Sequence, residues 1–397
     1  MPKPELLIPA GNSEKLRNAV LFGADAVYLG AGPYSLRSSD QTSFGLKELK
    51  GGVESAHSKN VKVYLAMNIF TFDDDIDAMM EYLKEANKLG IDAVIISDVG
   101  LLPLIQKLDK NIKVHLSTQA NTLNSEAVKF WKDHGVKRVV LGRELNAHQI
   151  KMIRKNVPDI ELELFVHGAM CMSYSGRCLL SKHMTGRSAN RGECTQPCRW
   201  EYRLKEVTRP EQEFRIQEDE RGTYIMNSRD LCLIEHIPEL IEAGINSFKI
   251  EGRMKSAYYA ALVTKIYRKA IDSDKYDPAW KEELQKVSHR TYSTGFYFNE
   301  DDTESVKCDT NIRTHSFVGV VEDHGEELEV KARNQFAVGD ELEIIDPNHD
   351  EIVKFKVTSM KTIENEPIAE AHNDYHVLLN VDLPHKASRY SLLRKQR

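Results

Sequence analysis

Five cysteines crowd one stretch of this 397-residue chain. Cys171, Cys178, Cys194, Cys198 and Cys232 fall within about sixty residues, and Cys308 stands apart. Thiolates are soft, charged ligands that hold zinc and iron–sulfur clusters tightly. Cys171 and Cys178 are seven apart, and Cys194 and Cys198 four apart. That matches neither the tight pairs of a zinc ribbon nor a bacterial ferredoxin run, so the expectation of ligation rests on the clustering. Arg177, Arg187, Arg191 and Arg199 lie nearby and can offset a cluster's negative charge, which favours iron–sulfur over zinc. Cys308 reads as a small apolar side chain. The rival chemistry is a cysteine peptidase, with His167 as base to a Cys171 thiolate. No HExxH is present, MSYSG lacks the first glycine of a nucleophile elbow, and a dyad leaves the other cysteines unexplained.

A local pattern elsewhere says what positions these residues. A helix ends at a glycine and a short β-rich run follows, at Gly23 (LFGADAVYLGAG), Gly90 (KLGIDAVIISDVG), Gly135 (DHGVKRVVLGRE) and Gly244 (EAGINSFKIEGR). The glycine is the left-handed cap, and the apolar, β-branched run suits a strand buried on both faces. Eight such runs occur, at 5–10, 26–30, 62–67, 93–97, 113–118, 138–142, 161–167 and 247–251. Between most of them lies a helix signal, as in 75–89, where Ile76, Met79, Met80, Leu83 and Ala86 keep a buried-face spacing. The pattern predicts an α/β fold, a TIM (β/α)₈ barrel over 1–291. The alternative, a doubly wound sheet, lacks a glycine-rich fingerprint after the first strand.

Strands seven and eight are separated by 168–246, a cysteine-rich insert that belongs over the active face of a barrel. Its part from Trp200 to Met226 alternates apolar and polar as a hairpin would. A linker at 292–315 leads to short strands (SFVGVVED, ELEVKAR, DELEIID, EIVKFKVTSM, YHVLLNVD), which predict a small C-terminal β-barrel domain over 316–397.

Composition sets limits. The apolar fraction is 41% and the charged fraction 29%, as in ordinary globular chains. No run approaches the roughly 18 to 20 apolar residues of a membrane span. The start, MPKPELLIPAGN, carries no secretory pattern, so a cytoplasmic location is expected. Net charge is −6, which excludes a global basic field for nucleic acid but not a local one. Residues 177–205 hold seven basic residues against Glu193 and Glu201, and Lys386, Arg389, Arg394, Lys395 and Arg397 give a basic tail.

The segments ELLIPAGNSEKLRNAVLFGADAVYLG, FVHGAMCMSYSGRCLLS, CTQPCRWEY and MNSRDLCLIEHIPELIEAGINSFKIEGRMKSAYY resemble the collagenase-like peptidase family, number thirty-two of the unknown-mechanism class. The resemblance spans almost the whole barrel. It is strongest to the bacterial tRNA hydroxylases that form 5-hydroxyuridine at the wobble position from prephenate. Length and the β-rich tail favour this branch over a longer ribosomal RNA cytidine hydroxylase and over shorter ubiquinone hydroxylation proteins. It implies a 4Fe–4S cluster on Cys171, Cys178, Cys194 and Cys232, with Cys198 as a substitute, because another branch uses both cysteines of the CxxxC pair. The peptidase label comes with the resemblance, and no residue of the chain independently supports it; the other alternative is a non-enzymatic RNA-binding or cluster-carrying scaffold.

The strand ends then offer a polar mouth. His167, Glu251, Asn68 and Gln119 are the candidate catalytic residues, with His167 able to move a proton or hold a loop. Arg143 and Arg253 are candidates to clamp the carboxylates of a prephenate-like small dicarboxylate. Arg177 and Arg199 are candidate substrate contacts. Tyr258 is a candidate to stack on a base, though a helix start makes core and rim roles for Tyr258 and Tyr259 more common. The expected partner is the anticodon arm of tRNA, gripped by the basic insert and the β domain, with no membrane.

Overall fold

The computed structural model describes residues 3–30, 32–36, 43–171, 173–200, 217–219, 222–224, 229–273, 275–298 and 312–397. Eight parallel strands form its centre: β1 (Glu5–Pro9), β2 (Ala26–Gly30), β3 (Lys62–Met67), β4 (Ala93–Ile96), β5 (Val114–Leu116), β6 (Arg138–Val140), β7 (Glu161–Ala169) and β8 (Ser247–Ile250). Each pairs with the next in space, and β8 pairs with both β7 and β1, which closes the barrel. The expected TIM barrel is borne out strand by strand. The four repeat glycines take positive φ (+104°, +88°, +92° and +77°), as left-handed helix caps do.

Alternation sorts the strands into two layers. Leu6, Ile8, Val27, Leu29, Val63 and Leu65 face outward into the main core against the helices. Leu7, Ala26, Tyr28, Tyr64, Ala93 and Ile95 form a separate cluster inside the barrel. Below the mouth, Glu163 accepts from Lys249 (2.8 Å) and Arg138 (3.1 Å), and Arg138 also meets Glu5 (2.6 Å). Buried charges in such a lumen persist only when paired in this way.

Strand β7 breaks the alternation. Lys249 pairs with Phe165 but Ile250 pairs with His167, so Val166 is an extra residue, a β-bulge. Beyond it β7 leaves the barrel and pairs antiparallel with the short strand Asp230–Cys232, with His167 opposite Cys232. Gly168 makes this possible. Its φ is +107°, and a Cβ there would lie 2.1 Å from the Glu251 carbonyl oxygen. Gly168→Ala is expected to cost at least about 2 kcal/mol. Gly186 has φ +75° and open space around it, so Gly186→Ala isolates the dihedral penalty. Denaturation midpoints of the two variants check the difference.

In the insert, Gln217–Asp219 pairs antiparallel with Gly222–Tyr224, as the expected hairpin should. The rest of 201–228, residues 299–311 of the linker and Cys308 lie outside the described residues.

The C-terminal sheet comprises β9 (His315–His324), β10 (Leu328–Ala332), β11 (Glu341–Ile345), β12 (Ile352–Lys356), β13 (Ser359–Thr362), β14 (His376–Asn380) and β15 (Leu392–Gln396). It is antiparallel, in the order β12-β11-β15-β9-β10-β14-β13. The two edge strands, β12 and β13, are separated in sequence only by Val357 and Thr358. The sheet must therefore curl until its edges meet at that corner, around a core of its own.

This sheet docks on the barrel, and the docking corrects two expectations. The tail is not a free basic arm. Arg394 is fully buried, pairs with Glu283 (2.7 Å) and Glu343 (2.5 Å), and donates to the Tyr258 hydroxyl (3.2 Å); Lys395 pairs with Asp340. Tyr258 is no base-stacking residue. It is 4% exposed and stacks on Phe317 at 5.7 Å, because the helix Ala257–Asp272 begins at the seam between the two bodies. Among the described residues, no helix is long and apolar enough to cross a membrane.

Candidate active site

A cavity of about 390 Å³ lies at the carboxyl ends of the barrel strands, under the insert. Four thiols line its upper part: Cys171, Cys178, Cys194 and Cys198. Local hydrogen bonds fold the insert into that shape. The Glu144 carboxylate accepts from the Ser175 backbone N–H and from its hydroxyl (2.7 Å), at a residue whose φ is +47°. The Asn190 side chain clamps Cys178, accepting from its N–H (3.1 Å) and donating to its carbonyl (3.0 Å). The buried Ser181 hydroxyl accepts from the Thr195 N–H (3.1 Å), tying the helix Leu180–Thr185 to the segment that carries Cys194. Such local bonds are how loops of Ser, Asn and Gly hold one shape.

The walls are polar. The Asn68 amide donates to the Ser117 hydroxyl (3.1 Å) and accepts from the Leu36 N–H (3.3 Å). Gln119 is buried, and its Oε1 has no partner among the described residues. Arg177 donates from Nε to the Gln119 carbonyl (2.9 Å). Arg143 donates to the Ala169 carbonyl (3.3 Å) and lies 5.4 Å from the Phe165 ring centroid. Arg253 is 2% exposed and donates to the Ser35 hydroxyl. Gly30 leaves room for it, since a Cβ there would sit 2.9 Å from Nη2. Burial and the Arg253 charge hold the neighbouring Lys15 ammonium below its usual pKa. Lys249 and Tyr28 reach the cavity from below. Against these cations stands Glu251, the one carboxylate among the described residues that line the cavity.

The structure thus gathers Asn68, Gln119, Arg143, Arg177, Glu251, Arg253 and four of the five clustered cysteines around one space. Four other sequence candidates lie elsewhere. Cys232 is 4% exposed, and its Sγ is 3.9 Å from the Tyr267 hydroxyl, on the outer side of the barrel wall. Cys198, named as its substitute, occupies the cavity instead. His167 shares that outer side because the bulge at Val166 turns it there. It packs against Tyr259, Tyr267 and Tyr292, its Nδ1 faces the Tyr267 hydroxyl at 3.3 Å, and its Nε2 has no partner among the described residues. The Cys171–His167 dyad does not form. Arg199 lies beside the cavity, bonded to Gln196. Tyr258 is at the domain seam. Sequence reasoning missed Lys249, Tyr28 and Ser35.

Burial pushes the His167 pKa down to about 3, and burial with nearby Arg138 and Lys249 pushes His115 well down too. Both histidines are neutral at pH 7. The unfolded chain binds protons near pH 6.5 that the folded chain refuses, so their stabilising effect is full above about pH 6.5 and is lost as pH falls toward the folded values. The expected loss is at most about 1.4 kcal/mol per pH unit for each histidine. Thermal denaturation between pH 7 and pH 5 measures it, and His167→Gln is expected to flatten the slope.

Burial, with the thiols of Cys171, Cys194 and Cys178 nearby, raises the Cys198 pKa, against the pull of Arg199. Four thiols close enough to influence one another, with arginines at hand, form a donor set that fits an iron–sulfur centre.

Comparison with known proteins agrees with this architecture. Residues 11–307 match the family described as Peptidase family U32, and residues 313–394 its C-terminal domain. The chain is 42% identical over 357 residues to tRNA hydroxylation protein P1 of Bacillus subtilis, covering 87% of this chain and 84% of that protein. It is 38% identical over 430 residues to tRNA hydroxylation protein P of Escherichia coli, covering 96% and 94%. A Porphyromonas gingivalis protein named collagenase is 34% identical over 313 residues, covering 75% and 74%. With both of its parts matched in order along nearly all its length, the chain belongs to peptidase family U32.

Proposed function

We propose that this chain is a tRNA-hydroxylating enzyme that forms 5-hydroxyuridine at the wobble position, with a 4Fe–4S cluster on Cys171, Cys178, Cys194 and Cys198 and prephenate as co-substrate. The observation that carries the reading is the shared cavity: four thiols above, arginines around, in a chain similar over most of its length to proteins named for tRNA hydroxylation.

When bound, the cluster would supply one-electron chemistry next to the substrate. The protein's own groups do the rest. Arg253, held by Ser35, and Arg143, held by the Ala169 carbonyl, each take a carboxylate of the dicarboxylate donor. The Asn68 and Gln119 amides present donors and acceptors to the edge of an extruded uracil. Glu251 is the group placed to take or return a proton there.

The test is mass spectrometry of tRNA nucleosides from a strain lacking the gene. Loss of 5-hydroxyuridine, restored by the wild-type chain and not by Arg253→Ala, is the expected result. Unchanged 5-hydroxyuridine would remove the assignment. Gelatin degradation lost in Cys171→Ala would favour the peptidase reading instead.

A further inference from the structure

Several large apolar side chains on the cavity's side of the barrel are left in solvent. Phe72, Tyr174, Leu179, Met184, Trp200 and Met254 are each between 41% and 78% exposed. All stand on segments that follow barrel strands or belong to the insert, and Leu179 lines the cavity itself. Cations are set among them. The Arg191 guanidinium lies 4.9 Å from the centroid of the Phe72 ring and is tied to Asp75, and Arg177 lies 5.7 Å from that of Phe70. From Cys171 to Trp200 the chain holds Arg177, Lys182, Arg187, Arg191 and Arg199 against the single acid Glu193. Lys182 and Arg187 are exposed.

A group of exposed apolar side chains of this kind marks a binding surface. Phe72 is followed by the exposed acids Asp73, Asp74 and Asp77, so the basic face is that of the insert, and its charge selects the occupant. A second copy docking through the same patch would bring its basic residues against their own counterparts. Aromatic faces beside arginines instead suit a polyanion with unpaired bases, which stack on the rings while the phosphates meet the cations.

We infer that the rim is a stacking platform for the unpaired bases of an RNA loop, with Tyr174 and Trp200 carrying bases and Lys182 and Arg187 meeting phosphates. This rests on the tRNA reading and adds to it the surface that recognises the loop. The platform requires unpaired bases on either side of the one that enters the cavity, so a loop binds and a duplex does not. The rim then gives affinity and the cavity gives the choice of base.

Fluorescence anisotropy of the cluster-loaded protein, prepared without oxygen, tests this with a labelled anticodon stem-loop and a duplex of equal length. Wild-type protein is expected to prefer the stem-loop. Trp200→Ala and Tyr174→Ala are each expected to weaken binding roughly tenfold with the salt dependence unchanged, and Trp200→Phe to recover most of the loss. The Lys182→Ala, Arg187→Ala double variant is expected to lower the salt slope. Equal binding of loop and duplex, or aromatic variants that bind the loop as wild type does, overturns the platform while leaving the tRNA reading intact. No RNA binding by wild type overturns both. A wild-type dimer that Trp200→Ala converts to monomer assigns the rim to self-association and overturns the stacking role.

Discussion

Cys198→Ala is expected to give colourless protein that holds no iron and restores no 5-hydroxyuridine to a strain lacking the gene, whereas Cys232→Ala keeps both iron and activity. The two residues differ in place, not in type. The Cys198 thiol lines the cavity with Cys171, Cys178 and Cys194. On the proposed four-cysteine site, its removal leaves three protein ligands. Cys232 cannot take its place, because the antiparallel pairing of Asp230–Cys232 with the end of β7 sets its side chain on the outer side of the wall with His167. Burial there pushes the Cys232 thiol up to about 11. Shortening it to alanine leaves a small void worth about 1 kcal/mol of stability. Iron and sulfide per chain after anaerobic purification decide the matter. A coloured Cys198→Ala with a colourless Cys232→Ala would hand the fourth position to Cys232, and would require the bulge in β7 to be undone in the loaded protein.

The same bulge marks the limit of what was legible in the sequence. The barrel could be read because its signal repeats: a capping glycine and then a β-branched run is a local pattern, and eight copies admit few other architectures. The cavity residues at strand ends followed from the barrel alone, since Asn68, Gln119, Arg143, Glu251 and Arg253 lie at the mouth whatever the loops do. His167 and Cys232 were misplaced because one extra residue, Val166, reverses which way the following side chains face, and nothing in LFVHG distinguishes a bulged strand from a regular one. Tyr258 and Arg394 were misplaced because both meet at a seam between two bodies, and a docking surface leaves no local periodicity. Lys249 carried a signal that went unread. It sits between Phe248 and Ile250, and Glu163 sits between Leu162 and Leu164. A charge flanked by apolar neighbours on a strand buried on both faces must point into the lumen and must be paired there.

That pairing predicts the larger of the stability effects. Lys249→Met leaves the Glu163 carboxylate, which is wholly buried, with Arg138 as its remaining charged partner, itself shared with Glu5 and Glu161. Breaking one side of a buried pair strands a charge in a poorly solvated interior, and a loss of about 3 to 5 kcal/mol is expected. Adding Glu163→Gln removes the stranded charge, so the double variant should regain most of that loss, and a denaturation cycle should show strong coupling between the two sites. Stability and function then separate. Lys249 also lines the cavity, 4.6 Å from the Tyr28 ring centroid, where an anionic donor would meet it. If its ammonium contacts that donor, the double variant folds well but keeps a raised KM. If the double variant recovers both stability and KM, the lysine serves only to neutralise Glu163, and binding of the donor rests on Arg143 and Arg253.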